Sequence, residues 1–131
     1  MAIRRDQAVK LAQDYTGAWN TGLPQAVADL YATDGKIVIN SGNAWTGRAK
    51  VAEMAAGFFA DVPDLLLACN EVRHAGDHIV YLWTFTGTHA GRKNSLSIAG
   101  WEEWDVDSNL KITSSRGWFD TTDYARQIAG E

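Results

Sequence analysis

The chain has 131 residues, 46% of them apolar, and a formal net charge of −4. That length suits one domain, spanning residues 1–131, able to bury roughly two thirds of its unfolded surface. The mildly acidic balance carries no basic stripe of the kind nucleic acid requires, no apolar run approaches a membrane span, and the single cysteine, Cys69, has no internal disulfide partner. The expectation is a cytoplasmic protein with neither nucleic acid nor membrane as partner, and Cys69, inside an apolar run, is expected to be buried.

A first helix is expected from about Asp6 to Asn20, because Ala8, Leu11, Ala12, Tyr15, Ala18 and Trp19 recur at spacings of three and four. Thr21-Gly22 ends it, and Pro24 suits the first turn of a second helix with Val27, Leu30 and Tyr31 facing inward. The apolar run Ile37-Val38-Ile39 reads as a short strand, with Asn40 and Trp45 flanking it. A third helix opens at Gly47-Arg48 and carries Val51, Met54, Ala55, Phe58 and Phe59 before Pro63 stops it. Four strands follow, at roughly Leu65–Arg73, His78–His89, Ser95–Asp105 and Lys111–Phe119, separated by polar, glycine-containing turns. A last short helix starts after Asp120, which with Asp123 has the look of a cap. Helices followed by consecutive strands give an α+β class, with three N-terminal helices packed in the concave face of a curved, mainly antiparallel sheet.

Strand alternation divides the sheet into two unlike faces. Tyr81, Trp83, Phe85, Trp104 and Trp118 are assigned to a large aromatic face. Thr84, Ser97, Ala99, Trp101, Glu103, Ser115, Gly117 and Phe119 are assigned to a face that is mostly small and hydroxyl-rich. A half-buried sheet turns its apolar face inward, which would set the aromatics against the helices. The other arrangement covers both faces, one with helices and one with a second subunit. Periodicity alone leaves both open. Six tryptophans concentrate large amphipathic rings, which are used in cores, interfaces and ligand pockets.

The motifs of well-known chemistries are missing: there is no phosphate-binding glycine loop, nucleophile elbow or metalloprotease helix. His74 and His78 flank Asp77, but Gly76 makes this a turn and not a helical metal pair, so no metal and no cofactor are expected. Arg48 is read as an ion-pair partner for Asp34. Tyr15 can donate a hydrogen bond to a carbonyl or developing oxyanion. Glu103 is the candidate general base, because a carboxylate beside tryptophan would hold its proton more tightly.

The helix order, Tyr31-Ala32-Thr33-Asp34, Gly47-Arg48 and the ending Gly117-Trp118-Phe119-Asp120 together resemble the nuclear-transport-factor-2-like superfamily, and within it the SnoaL-like domains. Those include polyketide cyclases, ketosteroid isomerase and limonene epoxide hydrolase. The resemblance implies a cone-shaped α+β fold that dimerises through the outer sheet face. It also implies that small residues line the cavity while the aromatics lie between subunits. Tyr15 stands at the isomerase's tyrosine station. The isomerase's two carboxyl stations fall on Ile39 and Ala99, so both acids are absent, and the hydrolase's stations on Ile37, Ile39 and Gly117 are equally empty. The cyclase aspartate has only Asp120 near it, where a helix cap is the better reading.

The expected protein is therefore a homodimer with a cavity of several hundred Å³, the usual scale of small-ligand sites. Thr84, Ser97, Ala99, Ser115, Gly117 and Phe119 would floor it, with Tyr15, Trp19, Ile37, Ile39, Met54, Phe58 and Trp101 around it. It would take a small apolar organic ligand. If catalytic, it would do isomerase-, cyclase- or hydrolase-like acid–base chemistry without a metal, led by Tyr15 and Glu103. The alternative is a non-catalytic binding or assembly module.

Overall fold

The structure is a computed structural model describing residues 2–131. Its elements run α1 (Arg5–Asn20), α2 (Pro24–Ala28), β1 (Tyr31–Ile39), β2 (Trp45–Thr46), α3 (Arg48–Asp61), β3 (Leu66–Ala75), β4 (His78–Thr88), β5 (Ser95–Val106), β6 (Ile112–Phe119) and α4 (Thr121–Ala129). Six strands form one curved sheet in the order β2-β1-β6-β5-β4-β3. Strands β3 to β6 make an antiparallel meander, and β1 joins it by pairing parallel to β6. No helix among the described residues is long and apolar enough to cross a membrane.

Both ends of α1 are pinned to β3. The Arg5 guanidinium donates to the Val72 carbonyl, and the Asn20 side chain both donates to Leu67 O (3.0 Å) and accepts from Leu67 N (2.6 Å). The second helix is shorter than the sequence suggests: Tyr31 opens β1 instead of continuing it. A Cβ on Gly35 would lie 2.6 Å from the Ile112 carbonyl, at an irregularity in the β1–β6 register that only glycine accommodates. Gly47, at φ 89°, turns the chain into α3. The Asp120 carboxylate accepts from the backbone of Thr122 and Asp123, so it caps α4, as its position implied.

The aromatic face lies inside. Tyr81, Trp83, Phe85 and Trp104 are buried against the helices with Leu96, Ile98 and Val106. This overturns the arrangement carried over from the resemblance, which set them between subunits, and restores the simpler rule that a half-covered sheet turns its apolar face to the core. Cross-strand register settles it: Trp104 sits opposite Ser115, and Gly100 opposite Phe119. Ser115, Gly117 and Phe119 therefore share the aromatics' side, and Trp118 belongs to the other. On that outer side Trp118 stacks on Trp101, with ring centroids 5.5 Å apart. Cys69 is exposed, not buried, and stands where the β3–β4 register shifts, between Cys69 and Glu71. Arg48 makes no ion pair with Asp34; its Nε donates to the Tyr31 carbonyl at 2.8 Å and ties α3 to β1.

Candidate active site

The inward positions of β5 read Leu96, Ile98, Gly100, Glu102, Trp104 and Val106, so one carboxyl stands in an apolar row. Glu102 is only 7% exposed. Room for it comes from across the ladder: Gly117 pairs with Glu102, and a Cβ there would lie 3.2 Å from its Cγ. Three donors converge on one oxygen, Oε1. They are the Tyr15 hydroxyl of α1 (2.8 Å), the Ser115 hydroxyl of β6 (2.9 Å) and the Trp104 indole N–H (3.1 Å). Behind them the Tyr31 hydroxyl lies 3.1 Å from that of Tyr15. Since Tyr15 spends its proton on Glu102, Tyr31 donates to Tyr15, and the chain of dipoles ends at the carboxyl.

Two effects act on the Glu102 proton in opposite directions. Burial removes water from the carboxylate and raises its pKa, while the hydrogen bonds from Trp104, Tyr15 and Ser115 favour the charged form. Burial wins, and the proton is held above the ordinary carboxyl range. Burial also pushes the Tyr15 hydroxyl up, reinforced by the nearby Glu102 charge, so Tyr15 stays a neutral donor. With Oε1 occupied by three donors, the free lone pairs, and the proton when present, belong to Oε2. Among the described residues no donor reaches Oε2.

Glu102 lines an interior cavity with Trp19, Ile37, Ile39, Met54, Phe58, Leu65, Leu67, Trp83, Phe85, Gly117 and Phe119. It is the one ionisable group in that wall. The space open to water is about 50 Å³, well short of the several hundred expected, because the inward face is the aromatic one and its rings fill the cone. Ile39, Met54 and Phe58 also line a shallow surface groove with Trp45 and Asp61, which places the mouth beside them.

The expected site residues separate cleanly. Trp19, Ile37, Ile39, Met54, Phe58, Gly117 and Phe119 line the cavity. Ser115 and Tyr15 sit behind it, bonded to Glu102. Tyr15 is fully buried and absent from the cavity wall, so its hydroxyl orients the carboxyl and does not meet a ligand directly. Thr84, Ser97, Ala99, Trp101 and Glu103 are on the outer face, displaced by the alternation that brings their neighbours inward. Thr84 accepts from Asn70 there, and Glu103 lies 3.0 Å from His78, whose other ring nitrogen meets Asp105 at 3.0 Å. Ala99, expected to mark a vanished carboxyl, is thus not an interior station; the interior carboxyl of β5 is Glu102. Sequence reasoning missed it, although a glutamate at a position where alternation calls for an apolar residue is a signal that could have found it. No group of three or more His, Cys, Asp or Glu among the described residues is placed to hold a metal ion.

The arrangement predicts how the tyrosine acts. Tyr15→Phe keeps the ring contacts but removes one of three donors to the charged carboxyl. The Glu102 pKa is expected to rise further, which a ¹³C NMR titration of the Glu102 carboxyl reads directly. An unchanged titration would mean the hydroxyl gives the carboxylate no support.

The family model of the SnoaL-like domain matches residues 12–115. Solved structures share the fold. A hypothetical protein with a ketosteroid isomerase-like fold from Catenulispora acidiphila DSM 44928, in complex with trimethylamine, is 21% identical over 92% of each chain, with a TM-score of 0.85. An NTF2-like protein of unknown function from Burkholderia pseudomallei K96243 is 19% identical over 93% of this chain and 97% of its own, at 0.81. SalBIII, an epoxide hydrolase/cyclase-like enzyme with a role in pyran ring formation in the polyether salinomycin, is 15% identical over 90% and 94%, at 0.79. No curated protein matches the sequence.

Proposed function

The chain belongs to the SnoaL-like domain family, and on that premise we propose that it is an acid–base catalyst acting on a small apolar organic substrate through Glu102. The observation that carries this reading is a lone carboxyl in an apolar cavity wall, with one oxygen saturated by donors and the other free. A general acid works best when its pKa lies near the working pH, and burial moves Glu102 in that direction. Protonated, Oε2 can donate to a carbonyl, ether or epoxide oxygen as charge develops on it; ionised, it can take a proton from carbon or water. Tyr15, Trp104 and Ser115 fix the carboxyl's orientation and lower the cost of its ionised state. The cyclase-like chemistry named for SalBIII is in keeping with such a group. The rival reading, a binding module without turnover, draws on the absence of a second ionisable group in the cavity wall.

A panel of small epoxides and unsaturated ketones, followed by NMR, separates the two. Glu102→Gln keeps the shape and removes the titrating proton. Loss of a general acid–base group is expected to lower turnover by about 10²–10⁴. Turnover equal in both proteins would remove Glu102 from the chemistry, and turnover in neither would leave the binding module.

We also propose that the chain is a homodimer joined through the outer sheet face, as the resemblance implies, but with different residues at its centre. Trp101, 42% exposed and stacked on Trp118, puts a large apolar pair in water, and tryptophan is favoured at interface centres. Light scattering at micromolar concentration is expected to give a dimer for the native chain and a monomer for Trp101→Glu. A native monomer would overturn this.

A further inference from the structure

Two tryptophans that share the cavity wall with Glu102 have indole N–H groups without a partner. Trp19 and Trp83 line the cavity, both are buried, and neither Nε1 finds an acceptor among the described residues. Folded proteins leave few buried donors unpaired, and an unpaired donor on a cavity-lining residue is suited to an acceptor inside the cavity. The Trp83 ring is held in place by what is missing opposite it. A Cβ on Gly100 would lie 2.5 Å from Trp83 Cζ2, so the indole lies across a strand position that only glycine leaves open. Phe85 and Phe119 hold it further, with ring centroids 6.0 and 6.3 Å away.

The polar groups of the wall are therefore donors, apart from Glu102, which donates as well whenever Oε2 carries the proton. While Glu102 holds its proton, an ammonium ligand would find no side-chain acceptor for its own donors in that wall. The volume is also selective: about 50 Å³ of water-accessible space holds about four water molecules at roughly 10–15 Å³ each. That excludes a fused polycyclic substrate unless the mouth opens.

We propose that the Trp83 indole N–H is a specificity-determining donor, by which the cavity selects a compact, uncharged guest with an acceptor oxygen over the same shape without one. This rests on the reading of Glu102 as the acid–base group, and it adds a second polar contact which that reading does not need.

Three five-membered-ring probes test it: cyclopentanone, methylenecyclopentane and cyclopentylammonium, each titrated into ¹⁵N-labelled protein while the indole N–H resonances are followed. Methylenecyclopentane has the shape of the ketone without its oxygen. Cyclopentanone is expected to bind about two- to tenfold more tightly than methylenecyclopentane, the scale of one hydrogen bond, and to move the Trp83 N–H resonance. Trp83→Phe is expected to reduce that preference to what Glu102 alone supplies, while methylenecyclopentane binds as before. Equal binding of the two neutral probes, a preference for the ammonium, a silent Trp83 resonance or no saturable binding at all would each overturn the proposal. The native chain's resonance suffices if Trp83→Phe fails to fold. Glu102→Gln separates the two readings. A ketone preference and Trp83 response that survive it, beside unchanged turnover, would sink the catalytic reading alone. A silent Trp83 beside turnover lost in Glu102→Gln would sink the donor role alone.

Discussion

Glu102→Gln is expected to make the protein more stable than the native chain at pH values above the folded carboxyl's pKa, while ending its acid–base capacity. The sign follows from burial. The carboxyl's pKa lies above its ordinary 4.5 in the folded protein, so between these two values the unfolded chain has released a proton that the folded one still holds. Stability of the native chain therefore falls as pH rises through that window, and above the folded value the deficit is complete. Each tenfold displacement in proton affinity corresponds to about 1.4 kcal/mol. The amide fills the same space with no charge to desolvate, and so lacks this slope. Urea unfolding of both proteins from about pH 4 to 9 is expected to give curves that diverge in the variant's favour. Parallel curves would mean that the cavity does not hold the proton. A gain in stability bought with the loss of a reactive group is the usual relation at catalytic sites.

Trp104→Ala is expected to be among the most damaging single changes in the chain. Trp104 is fully buried, stacked on Tyr81 at 4.9 Å and set edge-on to Tyr15 at 4.7 Å. Truncating a core tryptophan costs about 3–5 kcal/mol, a large share of the roughly 5–15 kcal/mol that hold a domain together. It also removes the indole donor to Glu102 Oε1, so the carboxyl pKa is expected to rise in whatever fraction stays folded. Leu66→Ala, at an exposed outer-face position, is expected to change stability by about 0.5 kcal/mol or less. Denaturant midpoints for the two variants measure the difference between the faces. Similar losses would contradict the assignment of Trp104 to the interior.

The helices were legible because each pairs a 3.6-residue apolar period with a stop: Thr21 after α1 and Pro63 after α3. Strands β3 to β6 were legible from turns and alternation, and so were the faces of β4, where Tyr81, Trp83 and Phe85 alternate with Val80, Leu82 and Thr84; β1 is longer than its apolar run Ile37–Ile39 showed, and β2 was missed. What alternation cannot supply is the match between strands. The common face of Trp104 and Ser115 is a property of cross-strand register, and nothing local to Ser115, Gly117 or Trp118 announces it. Turning the small residues inward, as the resemblance implied, drew the search for a base to Glu103, one position from the carboxyl that faces inward. Of the candidate site, the lining from α1, β1 and α3 was readable, since Trp19, Ile37, Ile39, Met54 and Phe58 belong to clear apolar patterns. The irregular positions were not readable: the shift after Cys69 and the crowded Gly35 each depend on a neighbouring strand.

The parallel pairing of β1 with β6 bears on the order in which the molecule can be made. Strands β3 to β6 meet their partners through short turns as each emerges, but β1 has its main neighbour only when nearly the whole chain exists. Until then β1 must wait beside an unfinished sheet. Closing so long a loop is slow, and an unpaired strand is exposed to wrong partners meanwhile. Since Ser115 arrives with β6 and Ile37 with β1, Glu102 gains its last donor and its apolar walls in the final step of assembly. The topology therefore predicts that Glu102 has its full set of donors and its raised proton affinity only once β6 and β1 are paired.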